Sequence, residues 1–396
     1  MKKFLIFVVL FIIGLSVIIY PYWREIFQFS AESIIKKNLP PYVAVKEITF
    51  DLKEGTLKVE DLKIKNPPGY SSRYLATVGL ITCKYEMKGE NILDGIKVTS
   101  IVASKPLIAI ERLPNGRINT NEMDKVMGTS KPSKPALPVA KKEAPKGGRK
   151  ISDLVELPSK IKIRNGKLTF LDRMITPKPY SIAVEKVNGP LDIGLSDDYR
   201  KVVSVGSRGT GFLNGDTRQK IQWVTSLDPE ATALTMANKY EVTDIDITLF
   251  KPYYDEFSPV VIQKGRCSGT LVFNFDNGNI GSTNTLHLRG FVFQEKTGGR
   301  GSEYWVGTVS EVVKYLESAP GEIVFDFKIK GPMDSPRFYP GPHVKAAIQN
   351  MVVDKISDVI QGLDKDQAAQ AGTATTPAQK TDTEKVVDII KSLMQE

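Results

Sequence analysis

From Val43 onward, apolar residues recur at every second position in run after run, a period that belongs to β-strands with one buried face. Val43 to Leu52, Thr56 to Glu60, Tyr74 to Met87, Ile96 to Ala103 and Leu107 to Glu111 read as strands of a first lobe, with Leu62 and Ile64 resuming the alternation in between. A second series starts at Lys160 to Arg164 and Lys167 to Leu171. It continues through Tyr180 to Val187, Leu191 to Leu195, Lys201 to Leu213, Lys220 to Ser226, Tyr240 to Phe250, Thr270 to Phe275, Thr285 to Phe293 and Glu322 to Ile329. Asn165-Gly166 and Asn277-Gly278 read as hairpin turns, because both central residues of the tightest turns take positive φ. Nearly every connection is short, and short connections join antiparallel neighbours. The expected fold is mainly β: a long antiparallel meander forming a curved, elongated sheet or groove with a few flanking helices.

Helical patterns are confined to the ends and the joints. Phe4 to Tyr20 is an uncharged apolar run after Lys2 and Lys3, and at helical rise it covers roughly 25 Å, near the lower limit for crossing a bilayer core. Tyr22 and Trp23 suit the membrane interface. A cleaved signal peptide would look similar, but it needs a small-x-small site where Tyr20-Pro21-Tyr22-Trp23 stands, so the reading is an uncleaved transmembrane anchor over 1–23 marked by Phe4, Tyr20, Tyr22 and Trp23. Further helices are expected over Arg24 to Leu39, Asn119 to Met127, Val306 to Glu317 and Pro342 to Leu363. This gives an N-terminal β lobe over 24–128, a Lys/Pro-rich linker over 129–150, a C-terminal β lobe with a closing helix over 151–363, and a disordered tail with a short amphipathic helix over 364–396.

The formal charge of +9 first suggests a nucleic acid partner. Seven basic residues against Glu143 place +6 of it between Thr129 and Lys150, and Lys2 and Lys3 add two more. The folded parts are therefore near neutral and offer no phosphate-binding face, which argues against DNA or RNA. Cys83 and Cys267 are too few and too far apart for a disulfide framework.

Motifs that carry chemistry are sparse. His287 and His343 stand alone, and no cysteine pair has zinc spacing, so no metal or cofactor is expected. Gly265-Arg266-Cys267-Ser268-Gly269 matches a nucleophile-elbow spacing, but that motif needs a strand-turn-helix and here a strand follows. A hydrolase using Cys267 is the weakest of three functional readings, and a tight turn into a strand is the better account. Gly298-Gly299-Arg300-Gly301 lacks the residues that complete a phosphate loop. Asp244 and Asp246 read as one solvated strand face.

A sheet of about a dozen strands must bury one apolar face, and this chain has few helices to lay across it. An open sheet would leave an apolar trough, and beside a membrane its natural occupant is a phospholipid-like acyl chain. The residues expected to line it are Phe50, Leu57, Val59, Ile163, Leu168, Phe170, Leu271, Phe273, Phe275, Phe325 and Phe327.

Several motifs in order carry a resemblance. Leu57-Lys58-Val59-Glu60-Asp61-Leu62 through Asn66-Pro67-Pro68-Gly69-Tyr70, Ile101 to Glu111, and Asn115-Gly116-Arg117-Ile118-Asn119 are similar to the first lobe of AsmA-like proteins. Ile163 to Asp172, Leu249 to Tyr253, and Gly321-Glu322-Ile323 leading to Lys330 through Phe338 resemble the uncharacterised envelope branch of that superfamily. The resemblance implies a single-pass protein of the bacterial inner membrane with its bulk in the periplasm. It further implies a hydrophobic β-groove for lipid, related to bridge-like lipid carriers, and a non-enzymatic part in outer-membrane biogenesis or maintenance. The alternative is a structural or assembly scaffold of the cell envelope that recruits other envelope proteins.

Overall fold

The computed structural model describes residues 37, 39–51, 54–89, 94–127, 155–175, 178–197, 201–255, 258, 260–296, 309–319, 321–333, 335–351, 353, 354 and 357. The expected transmembrane helix and its marker residues Phe4, Tyr20, Tyr22 and Trp23, the 129–150 segment and the 364–396 tail lie outside them. Among the described residues no helix is long and apolar enough to cross a membrane.

The chain is mainly β, a mixed sheet of sixteen strands that does not close on itself. The first part contains β1 (Val43–Ala44), β2 (Glu47–Asp51), β3 (Thr56–Lys65), β4 (Tyr74–Met87), β5 (Ile96–Arg112), β6 (Val155–Glu156), β7 (Lys160–Asp172), β8 (Tyr180–Leu195), β9 (Val202–Leu213), β10 (Lys220–Leu227) and β11 (Met236–Asp246). Then come β12 (Val260–Asp276), β13 (Asn279–Glu295), β14 (Glu317–Ala319), β15 (Glu322–Pro332) and β16 (Arg337–Pro340). Among the described residues the helical segments include α1 (Asp124–Met127), α2 (Lys251–Tyr254), α3 (Val309–Leu316) and, after β16, α4 over residues 342–351. Two compact units are distinguished, Met1–Ile245 with Val272–Ile280, and Asp246–Leu271 with Gly281–Glu396.

The sheet is not the purely antiparallel meander that the short connections predict. β5 pairs with β7 in parallel, Ile101 opposite Ile161 and Glu111 opposite Leu171, and with β6 in parallel, Ile96 opposite Val155. A parallel pair needs a crossover of a dozen or more residues, and the long stretch between Arg112 and Lys160 supplies it. The segment that composition marks as a linker between lobes therefore joins two strands that are hydrogen-bonded neighbours. Glu156 secures the returning chain by ion pairs to Lys88 (3.5 Å) and Lys97 (3.1 Å), which hold its carboxyl below the usual range.

Three expected strand breaks are absent. Ile96–Ala103 and Leu107–Glu111 are one strand, as are the two segments of β8, and Asn165-Gly166 lies in the middle of β7 where a hairpin turn is predicted. The reason is a line of kinks. Asp61 (φ 53°), Lys105 (53°), Asn165 (51°) and Lys186 (52°) take the left-handed conformation inside their strands. Pairing on either side brackets Asp61 against Gly79, Gly79 against Lys105 and Lys105-Pro106 against Asn165-Gly166, while the β7–β8 register shifts fall at the same level. Each such residue costs about 1–2 kcal/mol, and each resets which side chains face the core. Leu57 and Val59 are buried before the line, Leu62 and Ile64 after it, so the buried positions pass from odd to even without changing face. Aligned irregularities of this kind bend a sheet and sharpen its twist. Asn277 (φ 47°) and Gly278 (φ 80°) do form the expected hairpin turn, between β12 and β13.

Two further expectations change. β11 stops at Asp246, whose side chain accepts hydrogen bonds from the Thr248 N–H (3.0 Å) and hydroxyl (2.6 Å) and so starts a 3-10 turn. Asp244 takes φ 52°, so the two carboxylates are not a plain alternating solvated pair. Residues 265–269 run straight through β12 rather than turning into it.

The core of the first unit gathers Leu57, Val59, Leu62, Ile64, Leu75, Ile81, Ile101 and Ile161 from the sheet with Tyr42, Met123 and Val155 from outside its central strands. The second unit has a smaller core, Leu316 from α3, Ile323 from β15, and Val344, Ala347 and Met351 from α4. Asp326 of β15 receives the His343 (3.1 Å) and Val344 (2.9 Å) N–H groups and thereby caps α4.

Candidate functional site

The sheet face that carries the first core can be followed outward by register. Ile64 and Ala76, 1% and 3% exposed, stand in one row with Ile108, then Leu168, then Val184, then Leu213. Leu168 is 36% exposed, whereas Leu213 at the other end is closed again. The next row is Ile110, Phe170 and Ile182, all half-buried. These six side chains make an apolar strip across β5, β7 and β8, about 10 Å wide at ordinary strand spacing. They share a face with a closed core yet are not themselves closed. On the opposite face of β7, Lys160, Lys162, Arg164 and Lys167 are exposed. Among the described residues, α3 packs against β15 and the 3-10 turn Asn119–Glu122 against β5.

One end of the strip is shut by a polar knot. The Arg112 guanidinium lies over the Phe170 ring, 6.0 Å from its centroid, and makes a two-point ion pair with Asp172, which is wholly buried and also accepts from the Met174 N–H at 3.0 Å. Glu111, also buried, accepts from the Ser71 N–H (2.7 Å) and hydroxyl (2.6 Å) and pairs with Arg173 at 3.5 Å. Asn119 joins the two sides: its amide group donates to Asn66 Oδ1 (3.1 Å) and to the Ala109 carbonyl (2.7 Å), and its oxygen accepts from the Glu111 N–H (3.1 Å). Beside it Arg117 and Lys125 hold Glu122, with the Arg117 hydrogen bonds pulling its carboxyl down to about 2. The turn motifs around Asn66, Asn115 and Asp172, separate in sequence, thus meet in one place. With each buried charge paired and hydrogen-bonded, the knot is a fastening that fixes where the strip ends.

The other expected lining residues separate into distinct settings. Leu57 and Val59 are closed in the core at 7% and 2% exposed, and Phe50, opposite Leu57, is half-buried on the short β2. Ile163 is half-buried in a row with Ala103 and Gly189, on the far side of the kink line from Leu168. Leu271, Phe273 and Phe275 alternate along β12, all half-buried, and Phe273 lies 6.4 Å from Tyr240. Phe325 and Phe327 lie on β15, with the Phe338 ring stacked 5.2 Å from Phe327. Sequence reasoning missed Ile108, Ile110, Ile182 and Val184, because the kinks at Lys105 and Lys186 break the alternation that would have marked them. It also passed over Trp223, whose indole donates to Ser207 Oγ at 3.0 Å, and Tyr240, whose phenol burial pushes upward.

Cys267 is 6% exposed, and burial pushes its thiol up to about 11, as it does Cys83 to about 12. Neither is presented as a nucleophile. Among the described residues no group of three or more His, Cys, Asp or Glu side chains is placed to hold a metal ion. Compared with models of protein families, with curated proteins and with solved structures, the chain matches none.

Proposed function

We propose that this chain is a membrane-tethered, non-enzymatic carrier that holds lipid acyl chains on the apolar strip of Ile108, Ile110, Leu168, Phe170, Ile182 and Val184. The observation that carries the reading is Leu168, which shares a row with Ile64 and Ala76 in the closed core and is nevertheless left open. Two rows of branched and aromatic side chains, one end fastened, match the width and chemistry of hydrocarbon tails better than those of a polar ligand. The apolar run of Phe4 to Tyr20 would hold the carrier at a bilayer, and the AsmA-like motifs point to the bacterial inner membrane, a periplasmic body and outer-membrane upkeep as its setting.

The test is site-specific photocrosslinking in the full chain. A photoreactive side chain at Leu168 or Phe170 should yield lipid adducts, whereas one at Lys162, on the opposite face of the same strand, should not. Equal labelling at all three sites, or none at Leu168 and Phe170, overturns the carrier and leaves the tethered envelope scaffold as the surviving reading.

A further inference from the structure

The rows of the first unit's sheet change chemistry as they run toward β11. Ile101, Ile161, Leu191, Ser207, Thr225 and Asn238 stand in one cross-strand row over β5 and β7 to β11. The first two are closed in the core and Leu191 packs against it, whereas the last three are polar on the same face. One neighbouring row is Val205, Leu227 and Met236 and the other is Gly209, Trp223 and Tyr240, so these three rows carry no charged side chain from β9 to β11. The Trp223 indole donates to Ser207 Oγ at 3.0 Å, and Thr225 hydrogen-bonds the Tyr240 phenol. Gly209 makes room for that indole, because a Cβ there would sit 2.7 Å from the ring. Phe273, its ring 6.4 Å from that of Tyr240, continues the aromatic surface onto β12. Asn238 is 4% exposed; its amide group donates to the Phe273 carbonyl at 3.3 Å, but its Oδ1 is shut from solvent and accepts no hydrogen bond among the described residues.

A buried acceptor without a donor is costly, and it makes a specific demand: a group that satisfies Asn238 must bring an O–H or N–H. An ammonium calls for a carboxylate beside it and a phosphate for cations, and these rows hold neither. The hydroxyls of Ser207 and Thr225 both donate and accept, which suits a ligand group that does the same. Trp223 and Tyr240, both half-buried, offer ring surface on which the C–H edges of that group can pack. Access to Oδ1 needs side-chain movement and no break in the sheet, since Met236, next to Asn238 on this face, is half-buried and unbranched. We infer that the row of Ser207, Thr225 and Asn238, with Trp223 and Tyr240, is a binding site for a neutral polyol, a sugar or glycerol group either free or carried on a lipid. Its row passes through Ile161, across the kink line from Leu168, and the inference does not rest on the carrier reading.

The experiment reads Trp223 emission in the full chain carrying Trp23→Phe and Trp305→Phe, which leaves a single indole. The probes are glucose, glycerol, and phosphatidylcholine vesicles with or without monoglucosyldiacylglycerol. The expected result is a saturable shift with at least one polyol probe and none with plain vesicles. A response to glucose or glycerol identifies a free polyol, and a response to the glycolipid vesicles alone identifies a lipid-borne one. Asn238→Leu removes the unpaired oxygen at similar volume, so it should keep the native circular dichroism spectrum and weaken binding about tenfold, the worth of one neutral hydrogen bond. Thr225→Val, which takes one hydroxyl from the same row, should weaken it to a similar degree. No saturable shift with any polyol probe, an equal shift with plain vesicles, or undiminished binding in both variants would each overturn the inference. So would an Asn238→Leu chain that fails to fold, since the oxygen would then be satisfied within the protein. Lipid adducts at Leu168 report on the strip alone, so failure at one site is distinguishable from failure at the other.

Discussion

Truncating Leu168 and Leu62 in parallel separates an open apolar face from a closed one. Leu62 is 1% exposed inside the first core, so Leu62→Ala loses the transfer free energy of its side chain and leaves a cavity, which together cost about 3–5 kcal/mol. Leu168 faces the same way but keeps 36% of its surface accessible. Its truncation leaves no closed void, and the partial burial that is lost corresponds to about 1 kcal/mol. A charge sharpens the contrast: Leu62→Asp strands a carboxylate among apolar groups, whereas a carboxylate at Leu168 can reach water. Urea unfolding of the full chain, followed by tryptophan fluorescence, measures both effects. The carrier reading adds a second readout, because Leu168→Asp should fold with near-native stability and still lose lipid adducts from a crosslinker at Phe170. Should Leu168→Ala cost as much as Leu62→Ala, the face is covered in solution and the strip cannot receive an acyl chain.

Asp172→Ala should destabilise the chain by about 3 kcal/mol, the lower end for breaking a buried ion pair, since the Arg112 side chain keeps 29% of its surface exposed; urea midpoints check this. Glu122 has a depressed folded pKa of about 2, so its ion pairs with Arg117 and Lys125 stabilise the fold fully above the unfolded carboxyl value near 4 and lose that contribution as pH falls toward 2. Glu122→Gln should therefore flatten the stability profile in that acid window, and wild type and variant should run parallel above pH about 5. At the kink line, Asn165→Gly should be tolerated within about 1 kcal/mol and Asn165→Val should cost more, because a β-branched residue resists positive φ. Gly189→Ala should be worse than either, for a Cβ there would sit 2.0 Å from the Arg208 carbonyl oxygen. Cys83 and Cys267 should resist alkylation until the protein is unfolded, and rapid labelling of the native chain at neutral pH would contradict their burial.

What the sequence made legible was the local period. The long strands were mostly readable, because one buried face per strand imposes alternation whatever the strand pairs with, whereas the short β6, β14 and β16 were not. The hairpin at Asn277-Gly278 was readable for the same local reason. Asn165-Gly166 was not: the dipeptide supplies a residue that accepts positive φ, and a turn and a kink need that equally. Only the pairing of Ile163 with Gly189 on one side and of Leu168 with Val184 on the other shows that the chain continues straight on. The parallel pairing of β5 with β7 was hidden more deeply, since it depends on where a long polar crossover returns, and no period in the strands records that. Of the expected lining residues, Leu168 and Phe170 were placed on the open strip while Leu57 and Val59 went into the core, although all four alternate alike. Alternation tells which face a residue takes but not what covers that face.

Cover is decided by the segments outside the central strands, and their positions explain where the sheet is shut. Tyr42 and Val43 at the β1 end, Met123 from the crossover and Val155 on its return all pack into the first core, and the strands they serve are closed. Beyond the kink line the same face continues onto β7 and β8. There the same face, built from the same residue types, is left half-buried at Phe170 and open at Leu168. The kinks make this possible, because without the reset at Asp61, Lys105, Asn165 and Lys186 the apolar residues beyond the line would turn to the opposite face. Four residues in a conformation that costs about 1–2 kcal/mol each are kept in register across β3 to β8, and they hold both the closed Leu62 and Ile64 and the more open Leu168 and Phe170 on one face.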